Sequence, residues 1–152
     1  MVKILDENPE TALPDHVGWR LWQASRDWQR QFAEAMRDAG HLWFTESRAA
    51  LLGHIPRRGM RQVDLIERAG ISKQAVQQLL DGLEAEGVIE RAPDPDDKRG
   101  KLLRYTGRGL ATLRDGDQIK LEIERAYRQR LGEPGFEALM AALRLLGASP
   151  QD

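Results

Sequence analysis

LIERAGISKQAVQQLLDGLEAEGVIER, residues 65–91, is the stretch whose reading decides the fold. Leu65, Ile66 and Ala69 share one face of a short helix at 62–69, and Gly70 with Ile71 makes a tight turn. Ser72 is placed to cap a second helix that reaches Glu86, and Gly87 ends it. Ile71, Val76, Leu79, Leu80 and Leu83 form the inner face of that second helix. Two short helices packed steeply around a glycine turn make a helix-turn-helix. At about 100° per residue, Gln74, Gln78 and Asp81 point away from the apolar face, with Gln77 beside them and Ser72 and Lys73 at the tip. Glutamine pairs with adenine N6 and N7, serine and lysine reach phosphates or bases, and a helix N-terminus favours an anion. This face suits reading a major groove better than catalysis. An ordinary solvated helix face is the competing reading of these residues taken alone.

Downstream, the runs 88–92 and 101–105 read as two short strands joined by the loop 93–100, PDPDDKRG. A hairpin there flanks whatever groove the helix enters. Lys98 and Arg99 at its tip, with Lys101 behind, are candidates for phosphates or a minor groove. Asp94, Asp96 and Asp97 read as holding the loop, with Asp96 or Asp97 pairing Arg99 or Arg91 to fix its direction. Thr106 caps a long helix to about Leu131. Gly116, between Asp115 and Asp117, costs that helix about 1 kcal/mol relative to alanine, so a kink or weak point is expected there. Pro134 opens a last helix with Phe136, Leu139, Met140, Leu143 and Leu146 apolar.

Upstream, Thr45 caps a helix reaching His54 or Ile55, with Leu51, Leu52 and Ile55 as core positions, and 59–61 reads as a very short strand. Before it, Val17, Leu21, Ala24, Trp28, Phe32, Ala35 and Ala39 form one stripe of a long helix. Asp15 is its expected N-cap and Gly40 its terminator. Residues 1–15, with Pro9 and Pro14, read as a loose arm. The rest, 16–152, reads as a single domain: mainly α with a small β-hairpin wing. Its DNA-binding region is 45–105. The helices at 16–44 and 106–147 bury stripes longer than that unit can cover, which implies packing on each other or on a second subunit.

Composition narrows the chemistry. There is no cysteine among 152 residues, so disulfides, thiolate metal sites and thiol redox sensing are excluded. No apolar run approaches the roughly 20 residues of a membrane span. MVKILDENPE lacks the pattern of a signal peptide, so the cytoplasm is the expected compartment and no membrane partner is expected. The net charge of −1 is uneven: residues 57–114 hold 12 Lys and Arg against 9 Asp and Glu. From 98 to 114, six cations (Lys98, Arg99, Lys101, Arg104, Arg108 and Arg114) meet no acid.

The segment GISKQAVQQLLDGLEAEGVIERAPDPDDKRGKLLRYTGRG, residues 70–109, resembles the recognition helix and wing of the multiple-antibiotic-resistance regulator (MarR) family. The combination that carries the resemblance is Asp94-Pro95-Asp96-Asp97-Lys98-Arg99, a basic strand, then Tyr105-Thr106 opening a long helix. The resemblance covers about 45–112 by motif and the rest by helix order. It implies a homodimer joined by the first, fifth and sixth helices and bound to a pseudopalindromic operator in double-stranded DNA. It also implies a repressor released by a small aromatic effector held between the dimer and DNA-reading parts. Ser72, Lys73, Gln74, Gln77 and Gln78 match recognition-helix positions, and Arg99 matches the wing-tip cation. Two positions depart. Arg61-Gln62 opens the third helix where Ser or Thr is more typical, and Gly100 follows the wing arginine where Ala is more typical, which implies a looser wing.

Four tryptophans lie in or after the first helix. Trp28 is on its stripe and reads as core. Trp19, Trp22 and Trp43 are candidates for an aromatic ligand cleft, with Arg20 or Arg26 as counter-charge, although dimer or domain packing is the more ordinary reading of such tryptophans. His16, His41 and His54 are too far apart in sequence for a typical metal site, so no metal or cofactor is expected. No catalytic constellation stands out, and an enzyme is not expected. Two alternatives to a DNA-binding regulator remain at this level: a winged helix used for protein contacts, and a small-molecule-binding domain built on the tryptophans.

Overall fold

The computed structural model describes residues 15–147, so the arm expected at 1–15 lies, but for Asp15, outside the described residues. Five helices and three strands follow in the order α1 (Val17–Asp38), α2 (Glu46–Gly53), β1 (Met60–Arg61), α3 (Gln62–Ala69), α4 (Lys73–Ala85), β2 (Ile89–Asp94), β3 (Asp97–Tyr105) and α5 (Gly107–Gly147).

Side-chain caps set most helix starts, because the first backbone N–H groups of a helix lack partners within it. Thr45 Oγ1 accepts from Arg48 N–H at 3.2 Å, Ser72 Oγ from Ala75 N–H at 3.1 Å, and Thr106 Oγ1 from Gly109 N–H at 3.0 Å. The expected Asp15 cap of α1 is a correction. His16 caps instead, its Nδ1 accepting from Trp19 N–H at 3.3 Å. Asp15 is taken by Arg20 in a two-pronged pair at 2.6 and 2.7 Å, the stronger bond for a carboxylate.

The core forms where α3 and α4 meet the sheet. Leu65, Val76, Leu80, Leu83, Val88, Ile89 and Leu103 are all at most 1% exposed. Gly70, at φ 65°, makes the left-handed turn between α3 and α4 that a side chain would resist. The sheet is antiparallel with order β1-β3-β2. Met60 pairs with Leu103 and Ile89 with Tyr105. Tyr105 fastens the sheet to the end of α2: its hydroxyl lies 3.0 Å from the Ile55 carbonyl and 3.2 Å from that of Leu52. Burial pushes its pKa up to about 12, the nearby Arg57 charge acting in the opposite direction.

The C-terminal half of α1 packs on the N-terminal half of α5. Phe32, Ala33 and Met36 of α1 are buried, and Trp28 and Ala35 pack beside them. The stripe expected over the whole of α1 is covered only in its C-terminal half: Val17 is 70% and Leu21 42% exposed. The kink expected at Gly116 is also a correction. Gly116 is buried and helical, and a Cβ there would lie 3.4 Å from Phe32 Cζ. The close approach of α1 holds the helix through this glycine. α5 breaks at Gly132 (φ 72°, ψ 160°), between the helix expected to end at about Leu131 and the one expected to open at Pro134, whose ring cannot continue the preceding turn. Arg128 bridges the break. It bonds Glu124 at 2.9 Å, Glu133 at 2.5 Å and Glu137 at 3.3 Å, and stacks 4.0 Å from the Phe136 ring centre.

Candidate nucleic-acid interface

The tip and outer face of α4 carry the first group of sequence-derived residues. Ser72, Lys73, Gln74 and Gln78 are exposed. Ser72 Oγ is used as a cap acceptor, which leaves its hydroxyl proton free to donate. Gln77 departs from this set. It is half-buried, with its amide oxygen 3.5 Å from Arg91 Nη1, at the long limit of a hydrogen bond. The outward face is therefore narrower than three glutamines, and Gln77 faces the wing.

Arg91 locks β2 onto α4. It pairs with Asp81, lies 3.7 Å from Glu84 through Nε, and its backbone N–H donates to Glu84 Oε2 at 3.2 Å. The sequence expected Arg91 to meet Asp96 or Asp97. Strand register decides otherwise: Arg91 sits opposite Leu103, on the face turned to α4, far along the hairpin from its turn.

The wing is also tighter than the loop 93–100 expected from its composition. Only Pro95 and Asp96 lie between the strands. Pairing passes from Pro93 opposite Lys101 directly to Asp94 opposite Asp97, so Lys98, Arg99 and Gly100 bulge from β3 without partners on β2. Lys98, Arg99 and Lys101 are all exposed. The cations thus sit on the side of the hairpin near its turn, on β3. Asp97 Oδ1 accepts from Arg99 N–H at 3.0 Å, a backbone contact that leaves the guanidinium outward. Asp96 contributes its backbone N–H, which donates to Asp94 Oδ1 at 2.9 Å.

The wing is held by Asp94 and Arg61, a pair that sequence reasoning missed. Asp94 is 5% exposed and accepts from Arg61 Nε at 2.8 Å. Arg61 Nη2 also lies 3.7 Å from Asp97 Oδ2. The Asp94-to-Asp96 turn is a local signal that sequence offers, but Arg61 is 33 residues away and only the fold brings it there. Gly100 fits this arrangement rather than loosening it: a Cβ there would stand 3.2 Å from Asp94 Cβ and from Asp97 Oδ2. The missing Ser or Thr cap at Arg61 has the same explanation, since this side chain serves the wing and makes no cap bond.

The tryptophan cleft does not assemble. Trp19 and Trp22 stack at 5.0 Å on the exposed half of α1, with Arg26 5.7 Å from the Trp22 ring centre. Trp43 is buried beside His41 and Phe44. An apolar cavity of about 240 Å³ does lie between α1, α2 and α5, but Trp28, Phe32, Met36 and Phe44 line it, and none of Trp19, Trp22, Arg26 or Trp43 does. Trp28 lies nine residues beyond Trp19, half a turn away around the helix. Among the described residues the histidines also stay apart: His16 caps α1, His41 Nε2 meets Asp115 at 2.8 Å, and His54 ends α2. No helix among the described residues is long and apolar enough to cross a membrane.

Residues 44–100 match the MarR family. The HTH-type transcriptional regulator YdcH of Bacillus subtilis is 29% identical over 114 residues, covering 72% of this chain and 76% of that protein. A probable transcriptional regulator from Pseudomonas aeruginosa is 27% identical, with a TM-score of 0.66 over 87% of this chain and 97% of the other. A MarR variant from E. coli, solved in complex with operator DNA, is 20% identical with a TM-score of 0.68 over 87% and 94% of the two chains, a likeness of fold. The matched segment runs from Phe44, ahead of α2, to Gly100 in the wing. The match thus covers the helix-turn-helix and most of the wing, and over the described residues the chain shares the fold of the solved MarR structures.

Proposed function

We propose that the protein is a homodimeric repressor that reads a pseudopalindromic DNA operator, once per protomer, through α4 and the wing. The observation that carries this reading is the pairing of two surfaces across Arg91. The exposed tip of α4 (Ser72, Lys73, Gln74, Gln78) and the cationic bulge of β3 (Lys98, Arg99) belong to elements that Arg91 ties together. The operator complex of the E. coli relative supports the same reading by fold. Dimerisation accounts for the apolar surface left on the helices outside the winged part: Val17, Trp19, Leu21 and Trp22 on α1, and Leu139, Leu143, Leu145 and Leu146 on α5, are each at least 37% exposed.

Selection from a random duplex library, followed by electrophoretic shift, tests the proposal. The expected product is an inverted repeat with half-sites about one helical turn, roughly 34 Å, apart. Lys73→Ala and Arg99→Ala should each weaken binding and flatten its salt dependence by about one unit for each phosphate left unneutralised. Unchanged affinity in both variants sinks the reading. Release by a small aromatic effector has its natural place in the cavity against Phe32 and Trp28, at the junction of α1, α2 and α5, rather than at Trp19 and Trp22. Small aromatic acids should then change Trp28 fluorescence and release DNA together. A fluorescence change that persists in Trp28→Phe, or one without DNA release, removes the effector from that cavity.

A further inference from the structure

The outer edge of the sheet carries a second basic surface. A hollow of about 320 Å³ opens between β1, β3 and α3, lined by Arg58, Arg61, Arg68 and Arg104, with Asp64 the one carboxylate among its lining residues. All four arginines are exposed. Arg61 is engaged with Asp94 and Asp97. Among the described residues, Arg58, Arg68 and Arg104 have no carboxylate within 4.0 Å. Three such unpaired guanidinium side chains lining one concave surface favour a polyanion.

Topology says where such a polyanion would run. The sheet order β1-β3-β2 puts β2 beside α4, to which Arg91 ties it, and puts β1 on the opposite edge. The hollow therefore lies beyond the wing, on the side away from α4. It is continuous with the wing, because Arg61 reaches the turn through Asp94 at 2.8 Å. From Arg99 to Arg104 is five residues of strand, about 17 Å, or roughly five base pairs of duplex.

We propose that Arg58, Arg61, Arg68 and Arg104 form a groove for the phosphodiester backbone of duplex DNA outside the half-site read by α4. This rests on the DNA-binding reading above. The contacts are to phosphate, so they add affinity without sequence preference. The test compares the unaltered protein with the triple variant Arg58→Gln, Arg68→Gln, Arg104→Gln on two duplexes: the sequence enriched by selection as a minimal core, and the same core with ten added base pairs at each end. A control triple variant, Arg114→Gln, Arg125→Gln, Arg130→Gln, removes equal charge from exposed positions on α5. Anisotropy titrations over a range of salt give the affinity and the slope of log K against log salt.

The groove variant should bind the short core within twofold of the unaltered protein. On the long duplex it should bind roughly tenfold or more weakly, with a slope shallower by about 0.9 for each phosphate left unneutralised. The control should keep the preference for the long duplex. If the unaltered protein gains nothing from the flanks, or if both triple variants lose the gain equally, the groove is overturned while the α4 and wing reading stands. If the unaltered protein binds neither duplex, both fall. Equal thermal midpoints for the three proteins exclude misfolding as the cause.

Discussion

Asp94→Ala, Arg61→Ala and the double variant together measure what orients the wing. The Asp94 side chain is 3% exposed and the Arg61 side chain 45%. Losing Asp94 removes a charge-assisted bond to Arg61 and a turn bond to Asp96 N–H. Such bonds are worth about 1.5–3 and about 1 kcal/mol when buried. Water rehydrates the half-exposed guanidinium, so the first contribution is discounted, and Asp94→Ala should cost about 2 kcal/mol. Arg61→Ala leaves the buried carboxylate without its countercharge and should cost at least as much, although the larger side chain is the more exposed of the two. The double variant should cost less than the sum of the singles by about 1 kcal/mol or more. Urea unfolding followed by circular dichroism, at one fixed protein concentration, reads all three. Hydrogen exchange at Asp96 and Arg99 should quicken in each variant, because the loss begins in the wing. Additivity within about 0.5 kcal/mol, or an Arg61→Ala variant as stable as the unaltered chain, refutes the reasoning that this pair is coupled and holds the hairpin.

Two further predictions test the fold that carries the site. Gly109→Ala and Gly116→Ala both exchange a helical glycine of α5 for alanine, a gain of about 1 kcal/mol by propensity alone. A Cβ at Gly109 would stand 1.9 Å from the Val88 carbonyl oxygen, whereas one at Gly116 would meet Phe32 Cζ at 3.4 Å. Gly109→Ala should therefore destabilise by about 2 kcal/mol or more and Gly116→Ala should be neutral or stabilising; melting temperatures moving the same way in both would refute this. Tyr105 supplies the pH test. Its pKa is raised by burial from 10.0 to about 12 in the folded chain. The stabilisation is present below pH 10 and is lost as pH rises from about 10 through 12, amounting to about 2–3 kcal/mol. Tyr105→Phe should remove that decline, so the stability difference between the two proteins should shrink from pH 9 to 11.5 in denaturant titrations; a constant difference would show that the hydroxyl does not titrate this way.

The sequence by itself determined the order and type of the elements. Thr45, Ser72 and Thr106 cap with their own side chains, Gly70 turns, and Leu65, Val76, Leu80 and Leu83 repeat at helical spacing. These are local facts, written within a few residues of where they act. The exposed tip of α4 was legible for the same reason, since helical periodicity alone says which residues face out. Only the tertiary structure decided the rest. Arg91 pairs with Asp81 and Glu84 because strand register turns it toward α4, although Asp96 and Asp97 are nearer in sequence. Gly116 stays helical where Phe32 of α1 packs against it, although the glycine between two aspartates pointed to a kink. Asp94 holds the wing through an arginine 33 residues away, and the hollow beyond it gathers arginines from α3, β3 and the segment before β1. Side-chain partners chosen across long sequence separations depend on register and packing, which no local pattern encodes.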